Sequence, residues 1–228
     1  RREAYLRLLP EGRKSPPEML PGTAAALGAW VPGYKVPPLP ADTAHRLPGG
    51  SHLVLSLQMV PIGKPQRERT RIGLHFAKQP PSREIIAVPL NTFRIVLPAG
   101  SRVEETRAKF VTPVPLAVLS LWPHAHQLAT MLEVIAHVPG AEPRRLLDIR
   151  EWNFDQQQPY TFREPQHFPA GTRFELCVRY DNSSTNPANP TVPARTVRFG
   201  ESPSDEMALV ILQTTLPNPA ERPALDLA

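Results

Sequence analysis

Apolar residues in this chain recur in short runs, often at every second position, and the runs are cut apart by proline and glycine. The clearest case is Phe174-Glu175-Leu176-Cys177-Val178, where strict alternation puts the apolar side chains on one face of a half-buried strand. By that pattern, or by Leu- and Val-rich runs bounded by turn residues, strands are expected over residues 52–59, 70–77, 93–97, 117–122, 131–137, 144–151, 173–180 and 207–216. Their spacing of roughly ten residues, with turn signals between them, is that of an all-β sandwich. One short helix is expected over residues 2–9, ended by Pro10. Residues 27–48, dominated by Pro and Gly, read as an ordered loop.

Composition narrows this picture. Thirty prolines and twelve glycines among 228 residues leave no room for long helices, whereas 41% apolar residues suffice for a real core. No stretch approaches the apolar length of a membrane span. The net charge is +5, from cations that read as scattered and without interleaved aromatics, which argues against nucleic acid. An acidic partner surface or anionic headgroups fit that charge. The single cysteine, Cys177, cannot form an internal disulfide and reads as core. No glycine-rich phosphate-binding motif occurs. The sequence begins at Arg1 and not at Met, so an upstream segment is expected.

The residues that carry chemistry come late in the chain. His124 and His126 stand two apart in Trp122-Pro123-His124-Ala125-His126, and on a strand that spacing points both imidazoles to one face, within reach of one metal ion. Met207 follows in Gly200-Glu201-Ser202-Pro203-Ser204-Asp205-Glu206-Met207. Two imidazoles and a thioether suit copper, Cu(I) above all, better than zinc or magnesium. Asp181 and Asn182 have the residue types of acid–base catalysts, but next to Asn-Pro pairs they read as a hydrogen-bonded turn cluster. Asn182-Ser183-Ser184 also matches the short N-glycosylation pattern.

Seven motifs then occur in order: Pro123-His124-Ala125-His126; Trp152-Asn153-Phe154 with Gln157 and Tyr160; Pro169-Ala170-Gly171-Thr172; Tyr180-Asp181-Asn182-Ser183; Asn186-Pro187-Ala188-Asn189-Pro190; Gly200; and Asp205-Glu206-Met207. The succession resembles the C-terminal domain of copper type II, ascorbate-dependent monooxygenases. It is similar to that domain in bacterial relatives of peptidylglycine α-hydroxylating monooxygenase and dopamine β-monooxygenase. Trp30-Val31-Pro32-Gly33, Leu47-Pro48-Gly49-Gly50-Ser51 and Leu53-Val54-Leu55 are similar to the end of that family's first domain.

The resemblance implies an antiparallel, jelly-roll-like β-sandwich over residues 83–217, preceded by a partial β-sandwich over 23–82. A Pro-rich N-terminal arm (1–22) and a C-terminal tail along the surface (218–228) flank them. It implies that His124, His126 and Met207 match the three ligands of the copper at which oxygen is activated. The electron-donating copper site is not matched. Gln58 and Met59 stand where relatives carry a His-Tyr pair, no His-His pair occurs, and His52 and His75 lie in the wrong context to substitute. Trp122 and Leu209 replace an arginine and an asparagine that position peptide substrates in relatives, and Gln127-Leu128-Ala129 departs from the family's glycine-containing turn. The expectation is therefore an extracytoplasmic, periplasmic accessory or structural subunit with one copper site, not a catalyst. Its apolar, Pro-rich ends would dock on protein subunits of a larger membrane-associated complex. The alternative is part of an active monooxygenase hydroxylating an unknown small substrate.

Overall fold

The structure is a computed structural model that describes residues 2–9, 26–30, 34–59 and 62–226. The chain divides into two compact units, Arg1–Ile86 and Ala87–Ala228.

In the first unit, β1 (Arg2–Leu9) lies between β2 (Ala26–Trp30) and β4 (His52–Met59) in an antiparallel sheet. The helix expected over residues 2–9 is thus a strand. Eight residues stopped by a proline are too few to sustain an isolated helix. β4 instead pairs with β1 along its whole length, from Arg2↔Met59 to Leu9↔His52. The expected loop over 27–48 likewise holds two strands, β2 and β3 (Thr43–His45), and β3 pairs in parallel with Arg83 to Ile85. Residues 10–22 of the expected arm lie outside the described residues.

The strand expected over 70–77 does not form. Residues 62–82 are exposed throughout and none is in a strand. Ile72, Leu74 and Phe76 keep the alternation but are 44%, 39% and 74% exposed. A period of two earns burial only beside a second strand, and no described strand pairs with this one.

The second unit is a β-sandwich. One sheet has the order β10-β9-β12-β7, formed by β7 (Glu104–Val111), β9 (Ala129–His137), β10 (Arg144–Ile149) and β12 (Arg173–Tyr180). The other runs β11-β8-β14-β5, formed by β5 (Arg83–Asn91), β8 (Leu116–His124), β11 (Tyr160–Phe168) and β14 (Leu209–Thr215). Two short strands, β6 (Val96–Leu97) and β13 (Val197–Arg198), pair at the side. Helix makes up 4% of the structure, far below the third usual in globular proteins, so the all-β expectation holds.

The inner faces meet through aromatic and aliphatic side chains. Phe168 of β11 sets its ring edge-on to Phe174 of β12, 5.1 Å away, so the two sheets face each other. Phe174, Leu176, Val178 and Tyr180 all point inward and are fully buried. The opposite face of β12 bears Glu175 and Arg179, which pair across strands with Arg107 and Glu105. Cys177 is buried as expected, but it lies on that outer face between Arg107 and Glu133 of the neighbouring strands, and burial raises its thiol pKa.

The tail is not an extended arm. Asn218 caps a 3-10 turn (Pro219–Glu221) that leads into α1 (Arg222–Asp226), and Leu225 is buried within the chain itself. Its apolar side chain is therefore not on offer to another subunit.

Candidate functional site

β8 is the best-buried strand of the sandwich because it lies between β11 and β14. His124 is its last residue, and β14 begins opposite it at Leu209. His126 lies beyond the strand end, in the turn to β9, so the expectation of both histidines on one strand is half met. The strand stops because its next backbone donors are captured by a side chain. Glu206 Oε2 accepts from the N–H of His126 at 2.9 Å, and Oε1 accepts from that of Leu128 at 2.6 Å. The two rings nevertheless converge, with centroids 5.2 Å apart and planes at 83°. Two imidazoles that share an ion through Nε2 at about 2.0–2.1 Å have ring centres no more than about 6.4 Å apart, so the spacing fits.

Each ring is held through Nδ1. His126 Nδ1 lies 2.8 Å from the backbone carbonyl of Asp205, which can only accept, so the proton is on Nδ1. His124 Nδ1 lies 2.6 Å from Gln157 Oε1. Gln157 is itself oriented, because its Nε2 donates to the Phe154 carbonyl at 2.9 Å. In the neutral form of both rings the lone pair therefore resides on Nε2, the tautomer that metal-bound histidines take when an outer oxygen holds the other nitrogen. Trp152 Nε1 donates to the His126 carbonyl at 3.1 Å, and the Phe154 ring stands edge-on to His126 at 6.1 Å.

Met207 is buried and precedes β14. Its N–H donates to Glu206 Oε2 at 3.2 Å, and its carbonyl accepts from the Tyr180 hydroxyl at 2.9 Å. Segment 205–207 thus lies against the histidine turn, and both of its flanks are fixed. Gly200 has no room for a side chain there unless Asp205 moves, because a Cβ would clash with the Asp205 side chain. Burial pushes the Glu206 carboxyl up to about 8, against the pull of three N–H donors toward the charged form. Burial, then the Glu206 charge, raises the Tyr180 hydroxyl well above its ordinary value.

Among the described residues, no group of three or more His, Cys, Asp or Glu side chains is placed to hold a metal ion. Glu206, Gln157 and the Asp205 carbonyl carry no ligand signal in the sequence, and only the fold exposes their part.

The remaining candidates fall elsewhere. His52 opens β4 and is exposed, as is His75. Gln58 pairs by its backbone with Glu3, and its side chain lies outside the described residues. Asn182 is fully buried, with its amide nitrogen donating to the carbonyls of Leu97, Pro98 and Arg195. It is a structural clamp, and the same burial excludes it as a glycan acceptor in the folded protein.

No family model matches the sequence, and no curated protein matches it. Among solved structures, that of infectious bursal disease virus Gt strain matches over 98% of this chain and 67% of that chain, at 12% identity with a TM-score of 0.20. A likeness so slight carries no argument about this fold.

Proposed function

We propose that this chain is an extracytoplasmic accessory subunit that holds one copper ion on His124, His126 and Met207 and binds protein partners of a larger, membrane-associated assembly. The observation that carries the metal half is the pair of Nδ1 anchors, Gln157 Oε1 on His124 and the Asp205 carbonyl on His126. Each leaves Nε2 as the basic nitrogen, and an outer acceptor raises its donor strength. With the thioether of buried Met207 as the third donor, the set favours Cu(I). Bound there, copper supplies a one-electron couple. The protein's own part is to hold both imidazoles oriented, with Phe154 edge-on to the His126 ring and Trp152 bonded to the His126 carbonyl. Loading the purified chain with Cu(I) should give one copper per chain by elemental analysis, and His124→Ala should bring it to background. Ascorbate-dependent oxygen uptake by the loaded chain, abolished by His124→Ala, would overturn the accessory role in favour of a monooxygenase.

The partner half is supported by residues 62–82. The cations are less scattered than they read at first. Lys64, Arg67, Arg69, Arg71 and Lys78 against Glu68 give this stretch five minus one, or +4, of the chain's net +5. Exposed Ile72, Leu74 and Phe76 alternate along the same stretch. A basic, β-patterned segment with exposed apolar side chains suits an acidic protein surface that offers a sheet edge. Trypsin should cut the isolated chain after Arg67, Arg69 and Arg71 and spare those bonds in the chain recovered with its native assembly. Equal cleavage in both would remove this segment from the partner contact.

A further inference from the structure

We propose that Glu206 is the positioning residue of the copper site, a single carboxyl group that sets the distance between the histidine turn and the methionine segment. The inference rests on the copper reading above. Its basis is geometric. Oε2 accepts from His126 N at 2.9 Å and from Met207 N at 3.2 Å, so one oxygen atom is shared by the backbones of two ligands. Oε1 accepts from Leu128 N at 2.6 Å and closes the histidine turn around the carboxyl group.

The residue has no freedom of its own. Glu206 is fully buried, its N–H donates to the Arg198 carbonyl at 3.1 Å, and its carbonyl accepts from Gly200 N at 3.2 Å. Its neighbour Asp205 supplies the carbonyl that holds His126 Nδ1. The histidine's backbone, the histidine's ring and the methionine's backbone are all therefore referred to one dipeptide. That arrangement needs two oxygens that both accept. A glutamine presents one acceptor and turns an NH₂ toward an N–H, whereas an aspartate keeps both oxygens but withdraws them by one methylene. Groups that hold ligands from outside typically change metal affinity by about 10- to 100-fold when they are altered.

The test uses the full chain, titrated with Cu(I) without oxygen against a chromophoric chelator. Sulfur ligation is read by X-ray absorption at the copper edge, and folding by circular dichroism. Glu206→Gln should fold, bind Cu(I) about 10- to 100-fold more weakly than wild type, and lose amplitude in its copper–sulfur signal. Glu206→Asp should fall between the two. If wild type binds no copper, the copper reading fails and takes this inference with it. If wild type binds copper through sulfur and Glu206→Gln matches it in affinity and signal, the site stands and the role of Glu206 is refuted. If Glu206→Gln does not fold, Glu206→Asp decides: weaker binding upholds the role and unchanged binding refutes it. If neither variant folds, Glu206 serves stability alone and the inference is wrong.

Discussion

Replacing Asn182 by aspartate is expected to unfold the second unit at temperatures where wild type is native. Its Nδ2 donates to the carbonyls of Leu97, Pro98 and Arg195 at 3.0, 2.9 and 2.8 Å, and its Oδ1 accepts from Asn189 Nδ2 at 3.2 Å. The substitution keeps the shape and replaces the donor with an oxygen facing three other oxygens. The Pro98 carbonyl keeps its bonds from the Ser101 N–H and hydroxyl, but the Leu97 and Arg195 carbonyls lose this donor, and the new group is fully buried. Orphaned buried acceptors cost about 1–3 kcal/mol each, and an unpaired buried charge typically costs about 3–5 kcal/mol, so we expect a loss of at least about 4 kcal/mol. For a unit of this size that corresponds to a fall of roughly 10 °C or more in melting temperature. Asn182→Ala, which removes the donors without adding charge, should lie between the two proteins. Calorimetric melts within about 1 °C of one another would show that the clamp does not hold these loops.

The same residue marks how far the sequence could be read. Asp-Asn-Ser beside Asn-Pro pairs signals a turn cluster, and that is what Asn182, Ser183, Asn186 and Asn189 make. Strands with a clean period also declare themselves, and β4 and β12 begin and end where the alternation does. Two of the missed strands have a shared cause. β11 contains Pro165 and β7 is mostly polar, and each is the edge of its sheet, where a proline or a row of charges meets solvent at little cost. Only the sheet order, which local pattern does not encode, reveals them as strands. Residues 70–77 err in the opposite direction, since they have the pattern without a neighbour.

The candidate site divides along the same line. His124 and His126 were legible by their spacing of two, and Met207 by its residue type. Their supports were not, because Glu206 reaches His126 across 80 positions and Gln157 reaches His124 across 33. A hydrogen bond of that range belongs to the fold and leaves no local mark.

Copper should stabilise this protein in one unit only, and by a large amount. A ligand that binds the native state alone adds about 4 kcal/mol at a thousand times its dissociation constant, which for a domain of this size raises the melting temperature by roughly 10 °C. His124, His126 and Met207 all lie in the unit Ala87–Ala228, so the transition of Arg1–Ile86 serves as an internal control and should not move. The ion should matter too. Cu(I) should act more strongly than Zn(II), because a thioether contributes to the first far more than to the second. Met207→Leu separates ligand from packing. The side chain is buried, with 8% exposure, and leucine fills nearly the same volume, so the metal-free variant should melt within about 1.5 kcal/mol of wild type. With Cu(I) present, the variant should forfeit most of the added stability. If Met207→Leu gains as much from Cu(I) as wild type does, the sulfur is only packing and the third ligand must be sought elsewhere.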